Sequence, residues 1–403
     1  MINAVMILLA IAGGGGSSSG GGGGSSGGSS FSSSSYGDSS SYDTTDASSV
    51  MVIFVIIASF IITVAVAMIA LGRKGVSVKS DADLTKDELA AKHLFLRYQA
   101  DWSKNDSAAM RAYMTDKYHH RAELMVKAMQ LQSRRNVVDT PQSGRITSTT
   151  DANGRVAVTF YDASATDKLI DEKTGKEINS RHVVFTETWA FMKKPDGKLL
   201  LDDTTPDTVS QAMSIDSMRE FAFKHKLEYF SDWGTLTLPV RGLIFDEGNF
   251  TDSDINNYMV GEYGGQLIQM YSYTPNVNIL VNGRPYPIYI VGQIAVPDKN
   301  YGGIIVMKNK LIDRKPKGYK KYELEWGDFN KKYDVFATDA DKVTSFELLN
   351  PTFMEYLHDK VGLDFTLEVV DNIIYFYVKP KTGIKNYETL LEVLLRAYKE
   401  LKM

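Results

Sequence analysis

Between Val50 and Leu71 the chain runs for 22 residues, VMVIFVIIASFIITVAVAMIAL, without a single charge. As a helix rising about 1.5 Å per residue it would reach about 33 Å, enough to cross a hydrocarbon layer about 30 Å thick. A core helix of this length in a soluble domain carries a polar face. This run has only Ser59 and Thr63, whose hydroxyls can bond within a helix. The pattern predicts one transmembrane helix over residues 50–72. Arg73 and Lys74 follow at once and Lys79 soon after, whereas the other flank holds Asp38, Asp43 and Asp46 and no Lys or Arg. As membrane-flanking cations, Arg73 and Lys74 place residues 73–403 in the cytoplasm and the chain before Val50 outside.

Residues 2–12, INAVMILLAIA, form a second apolar run, too short to span, that ends in an Ala-x-Ala pattern at Ala10–Ala12. It reads either as a signal segment cleaved after Ala12 or as a short apolar tail, and both leave the topology unchanged. In residues 13–49, 28 of 37 positions are Gly or Ser, and they include 12 of the chain's 32 glycines. Such a segment buries too little to offset its chain entropy and is expected to be a disordered linker.

The net charge of −4 divides at residue 72: three aspartates lie before it, and the remainder is nearly neutral. A near-neutral soluble part argues against a nucleic-acid partner that would need a basic surface. The absence of cysteine excludes disulfides, thiolate metal sites and cysteine nucleophiles.

A first cytoplasmic domain is expected at 81–207. Acidic residues at Asp83–Glu88 mark a helix start, and Ala91, Phe95, Tyr98 and Trp102 recur at 4-3-4 spacing on one face. Met114, Tyr118, Met125 and Met129 mark a second helix. Three strands are predicted at Gly144–Thr150, Arg155–Ala163 and Arg181–Lys193, with turns at Asp151–Gly154 and Pro195–Gly197. In the last strand Phe185, Trp189 and Phe191 share a face with Glu187, which must lie at a rim or inside a cavity. Helices followed by a curved antiparallel sheet is an α+β arrangement.

The segments HLFLRYQADWSKNDSAAMRAYMTDKY (93–118), RRNVV (134–138), FTETWAFMKK (185–194) and LLLDD (199–203) resemble the domain of the mitochondrial inner-membrane import-motor subunit (translocase of the inner membrane, subunit 44) and its bacterial relatives. Trp102, Asp106, Arg111, Glu187, Trp189 and Phe191 carry the match. Leu199–Leu201 depart from it, since the family often has Trp-x-Leu there. The resemblance implies a nuclear-transport-factor-2-like cone, with helices on a bent sheet around an apolar pocket. It also implies a bacterial cell membrane location and contact with protein partners or lipid, and no reaction. The pocket residues would be Phe95, Tyr98, Trp102, Phe185, Trp189 and Phe191.

A second, strand-rich α+β domain is expected at 214–403. A helix is predicted over Ile215–Tyr229 and strands at Thr235–Leu238, Ile279–Val281, Ile288–Val296 and Gly303–Lys308. Asn282-Gly283 signals a tight hairpin, and Pro351 opens a helix. Phe365–Val370 and Ile373–Val378 flank Asp371-Asn372 as a second hairpin, and a helix from Tyr387 to Leu401 closes the chain. The run YDVFATD with LLNPTFMEYL is similar to a domain of unknown function in bacterial membrane proteins, which implies no established activity.

None of the six histidines has metal-ligand spacing. His119 and Glu123, four apart on a helix, read as a salt bridge, and the acidic pairs Asp252/Asp254 and Asp339/Asp341 as turn or cap residues. The basic run Lys315–Lys321 reads as a solvated loop. No catalytic residue, metal or cofactor is expected, and the chain is not expected to be an enzyme. The leading expectation is a single-pass membrane-anchored scaffold or adaptor engaging unidentified protein partners beside the lipid bilayer. The alternative is a module that binds a lipid or small hydrophobic ligand in the cone of residues 81–207. A filled cone favours the first and an apolar cavity the second, while a carboxylate or His beside a Tyr inside it would favour catalysis.

Overall fold

In the computed structural model, residues 80–206, 214–230, 233–245, 253–276, 280–281, 284–285, 289–296, 303–309, 316–338, 347–379 and 385–402 are described. The apolar segment at 1–12, the linker, the run at 50–72 with Arg73 and Lys74, and the basic residue Lys315 lie outside them. Among the described residues no helix is long and apolar enough to cross a membrane.

The chain is a mixed α+β protein. The first lobe holds α1 (Lys86–Trp102), α2 (Ser107–Met110), α3 (Asp116–Leu131), β1 (Arg134–Gln142), β2 (Arg145–Thr150), β3 (Arg155–Asp171), β4 (Glu177–Lys193) and β5 (Leu199–Pro206). Thr85 starts α1 with a reciprocal capping box: its hydroxyl accepts from the Glu88 N–H, and the Glu88 carboxylate accepts from the Thr85 N–H. Thr115 caps α3 by accepting from the Tyr118 N–H.

The five strands pair antiparallel in the order β1-β3-β4-β5, with β2 also on β3. Four register shifts interrupt the sheet: between Asp139 and Gln142, between Phe160 and Ala163, between Leu169 and Ile170, and between Ala190 and Phe191. At the one between Phe160 and Ala163, Asp162 adopts φ +54°, so β3 turns a corner there. Its first half pairs with β2 and its second with β1. Gly144 joins those two strands at φ +61°, and a Cβ on it would lie 2.0 Å from the Tyr161 carbonyl oxygen. Only glycine fits that corner.

Both the turns predicted at 151–154 and 195–197 are present, with Gly154 and Gly197 at positive φ. The strand predicted to end at Ala163 continues to Asp171 and turns back through Asp171–Glu177 into β4. There the Asp171 carboxylate accepts from the N–H groups of Lys173 and Thr174. Small and charged residues along Ser164–Asp171 masked the alternation. The segment RRNVV opens β1, also unpredicted as a strand.

The second lobe holds α4 (Ser214–Lys224), β6 (Glu228–Phe230), β7 (Asp254–Tyr263), β8 (Gln266–Thr274), β9 (Leu280–Val281), β10 (Arg284–Pro285), β11 (Tyr289–Ala295), β12 (Gly303–Lys308), β13 (Lys320–Tyr322), α5 (Gly327–Lys332), β14 (Tyr333–Ala337), α6 (Pro351–Asp359), β15 (Phe365–Val370), β16 (Ile373–Val378) and α7 (Lys385–Lys402). Nine of these strands form one antiparallel sheet in the order β13-β14-β12-β15-β16-β11-β8-β7-β6, and β9 pairs antiparallel with β10, while Asn282 and Gly283 lie outside the described residues. The helix expected over 215–229 stops at Lys224 because Lys226 turns left-handed, at φ +56°, and the chain re-emerges as β6. The strand expected over 235–238 is a 3-10 turn at Trp233–Thr237. There Gly234 lies so close to Ile255 that a Cβ would meet its side chain at 2.1 Å.

Period-two alternation divides this sheet into two chemically different faces. Ile268, Met270, Ile290, Ile294, Ile374 and Phe376 face one way, with Leu390, Leu394 and Ala397 of α7 in the same core. Gly292 permits that approach, since a Cβ there would lie 2.4 Å from Leu394 Cδ1. Tyr258, Tyr271, Tyr273, Tyr289, Tyr375 and Tyr377 face the other way and join the core of the first lobe. From Asp81 on, the two lobes belong to one compact unit.

Candidate functional site

α1 and β4 bring the six predicted pocket residues together. Phe95, Tyr98, Trp102, Phe185, Trp189 and Phe191 are all buried in one cluster. The rings are in contact: Phe95 and Trp189 lie 5.3 Å apart between centroids, Phe95 and Phe185 6.3 Å, Tyr98 and Trp102 6.0 Å, and Trp189 and Phe191 6.2 Å. Tyr98 meets Trp189 edge to face at 5.3 Å, and Phe160 lies 4.8 Å from Phe95. Phe95, Trp102, Phe160, Trp189 and Phe191 are 0% exposed. No water-sized cavity therefore touches them, and the cone is filled by its own side chains.

Its polar groups sit where sequence parity put them. Trp102 donates from Nε1 to Asn136 Oδ1 at 2.8 Å, an anchor on β1 absent from the sequence-level set. Glu187, 1% exposed, lies on the inward row of β4 opposite Phe160 at the β3 bulge. The structure thus places this carboxylate inside rather than at a rim. Tyr118 of α3, which periodicity marked only as a helix-face residue, hydrogen-bonds Thr204 at 2.9 Å. Burial pushes the Tyr98 hydroxyl well above its ordinary range, and the neighbouring Tyr118, Tyr113 and Glu187 add to the shift. Burial likewise raises Tyr118, with Thr204 opposing and Glu187 reinforcing. Both phenols stay neutral at any physiological pH and act as hydrogen-bond groups rather than bases. Trp189 Nε1 is buried with no hydrogen-bond partner.

A second polar cluster went unrecognised in the sequence. On the tyrosine face of the nine-stranded sheet, Tyr258 donates to Gln269 Oε1 at 2.7 Å and Tyr271 to Gln293 Oε1 at 2.6 Å. Gln269 and Gln293 are direct cross-strand partners, both fully buried. Tyr377 donates to Glu368, whose carboxylate also accepts from the Leu243 N–H at 3.0 Å. Arg134 of β1 is buried here, and burial pushes its guanidinium down to about 10 while Asp171 holds it up. The available signal was Gln269, Tyr271 and Tyr273 at every second position along β8.

The lobes are bridged by side chains of α3. Arg121 donates to the Tyr229 carbonyl at 3.2 Å, pairs with Glu228 at 3.4 Å and Asp203 at 3.7 Å, and covers the Phe230 ring. Lys127 reaches Glu262 at 2.7 Å. His119 does not pair with Glu123 as its spacing suggested: its Nε2 bonds the Ser107 carbonyl oxygen at 2.9 Å, while Glu123 pairs with Lys127.

Among known proteins, a family described as a protein of unknown function (DUF3137) matches residues 288–398. No curated protein matches the chain. A solved structure of the mycobacterial trehalose monomycolate transport factor A is similar at 11% identity, over 47% of this chain and 96% of that one, with a TM-score of 0.36. An Ntf2-like protein involved in plasmid conjugation is similar at 10% identity, over 50% of this chain and 84% of that one, with a TM-score of 0.19. Scores this low do not establish a common fold.

Proposed function

We propose that the protein is a single-pass, membrane-anchored scaffold or adaptor of the bacterial cell membrane. Its folded lobes lie in the cytoplasm and engage protein partners beside the bilayer. The uncharged run at 50–71, followed by Arg73 and Lys74, supports the anchor and its orientation. The first lobe is read as a nuclear-transport-factor-2-like cone related to the import-motor subunit domain, and residues 214–403 as an α+β domain of unknown function.

The observation that carries this reading is the filled cone. Ligand sites of this kind are concave and open, whereas Phe95, Trp102 and Trp189 offer no accessible surface to an acyl chain. Glu187 near Tyr98 and Tyr118 supplies groups that acid–base chemistry could use, and the burial of all three supports the non-catalytic reading. The test is crosslinking of the intact protein in native membranes, with mass spectrometry of what co-purifies. Reproducible protein partners are expected; a stoichiometric lipid without proteins would replace the adaptor by the ligand-binding reading. Protease applied to intact cells is expected to trim residues before Val50 and spare the rest, and degradation of the lobes from outside would reverse the orientation.

A further inference from the structure

Helix α4 ends in a turn that breaks two local rules at once. Phe221 and Ala222 are buried, whereas Phe223 is 86% exposed, the most exposed of the large hydrophobics among the described residues. The chain then leaves the helix by a Schellman turn. The Leu227 N–H donates to the Ala222 carbonyl at 2.8 Å, and the Lys226 N–H to the Phe223 carbonyl at 3.2 Å. That turn needs a left-handed residue, and Lys226 fills the position at φ +56°. Glycine takes this conformation without cost, so a lysine there is held against local preference. Complementing the helix dipole does not call for it, since Lys224 in the last turn already does so.

Both departures set one ring among cations. Arg219, one turn before Phe223, is exposed, as are Lys224 and Lys226. Arg219 lies over the Tyr229 ring at 5.8 Å. Glu388 pairs with Lys224 at 2.6 Å and with His225 at 2.9 Å, and Glu220 is exposed on the helix. Three cations against these two carboxylates leave the turn positive.

We propose that this turn is a membrane contact: Phe223 enters the headgroup layer of the bilayer, while Arg219, Lys224 and Lys226 bind the phosphates of anionic lipid. A ring standing alone among cations at a helix end suits a soft, anionic surface. A protein interface of standard size needs about 800 Å² a side, with its anchors seated in pockets. Among the described side chains of α4, no other large hydrophobic is so exposed. Eight residues separate Leu71 from Ser80, at most about 30 Å of chain. A tether of that length keeps the folded part beside the bilayer and raises the effective lipid concentration at its surface. The tether rests on the proposed anchor; the ring and its cations do not.

The chain has no cysteine, so one introduced thiol carries one fluorophore. Environment-sensitive labels are placed at Phe223→Cys, Lys331→Cys and Ile57→Cys of the full chain, in vesicles of phosphatidylcholine with phosphatidylglycerol, and read by quenching with spin-labelled lipid. Position 223 is expected to be quenched and blue-shifted, and position 331, at a side chain 81% exposed, to be neither. In the chain labelled at 223, Lys226→Gly is expected to lower the insertion equilibrium about fivefold while Tm rises, because glycine suits the turn and carries no charge. A merely structural lysine would leave the quenching unchanged. The proposal is overturned if position 223 is quenched no more than position 331, or equally in phosphatidylcholine alone. Shielding of position 223 in native membranes but not in these vesicles overturns it too, and would assign the turn to a protein. Position 57 reports the anchor separately: quenching there without quenching at 223 sinks the contact alone, and the converse sinks the anchor alone.

Discussion

The two aromatic layers of this molecule use similar residues in opposite ways. In the cone, rings meet rings: Phe95, Tyr98, Phe160 and Trp189 contact one another within 4.8–5.5 Å, and one indole N–H goes unpartnered. On the nine-stranded sheet, buried tyrosines carry their hydroxyls to Gln269, Gln293 and Glu368. The cone is specified by volume and the sheet layer by hydrogen bonds. A volume-specified core tolerates loss of a polar atom and not of bulk; a bonded layer does the reverse.

Alkaline titration presses on this difference hardest. Burial raises Tyr98 and Tyr118 in the cone, and Tyr258, Tyr271, Tyr375 and Tyr377 in the sheet layer, above the roughly 10 of an unfolded tyrosine. Below pH about 10 both states are protonated and the stability is fully present. Above it the unfolded chain gains ionised tyrosine that the folded chain cannot, so stability falls by about 1.4 kcal/mol per pH unit for each such group. Tyrosinate absorbance should therefore show an early phase from exposed tyrosines and a late one coincident with loss of circular dichroism. A single smooth titration over native structure would mean the hydroxyls are accessible.

Trp189→Ala should cost about 3–5 kcal/mol in chemical denaturation, because the surrounding rings cannot close the void. Gly144→Ala comes next, at about 2–4 kcal/mol, since it combines positive φ with a backbone clash at the sheet corner. Tyr271→Phe keeps the ring but leaves Gln293 Oε1 buried without its donor, at about 1–3 kcal/mol. Trp189→Phe removes an N–H that has no partner and part of the indole's bulk, so its cost should come from the void alone and fall below that of Trp189→Ala. If Trp189→Phe cost as much as Trp189→Ala, volume would not be what specifies the cone.

The cone was legible in sequence because its residues repeat at local spacings, four and three on α1 and two on β4, and those periods survive any tertiary context. Hairpins with Gly or Asn turns were legible for the same reason; Phe365–Val370 and Ile373–Val378 were read to the residue. β7 and β8 were not. Both their faces are buried, one under helices and one under the first lobe, so Asn256, Gln269 and Gly261 fall among Ile, Met and Tyr without an apolar–polar rhythm. The bridge through Arg121 was invisible too, since Asp203, Glu228 and Tyr229 are brought to it by packing and not by spacing.

The most direct measurement is a photoactivatable acyl-chain probe incorporated into native membranes, with the labelled peptides mapped by mass spectrometry. A membrane anchor joined to a filled cone predicts labelling within residues 50–71 and none in the peptides carrying Phe95–Trp102 or Phe185–Phe191. Label in those cone peptides would contradict the account.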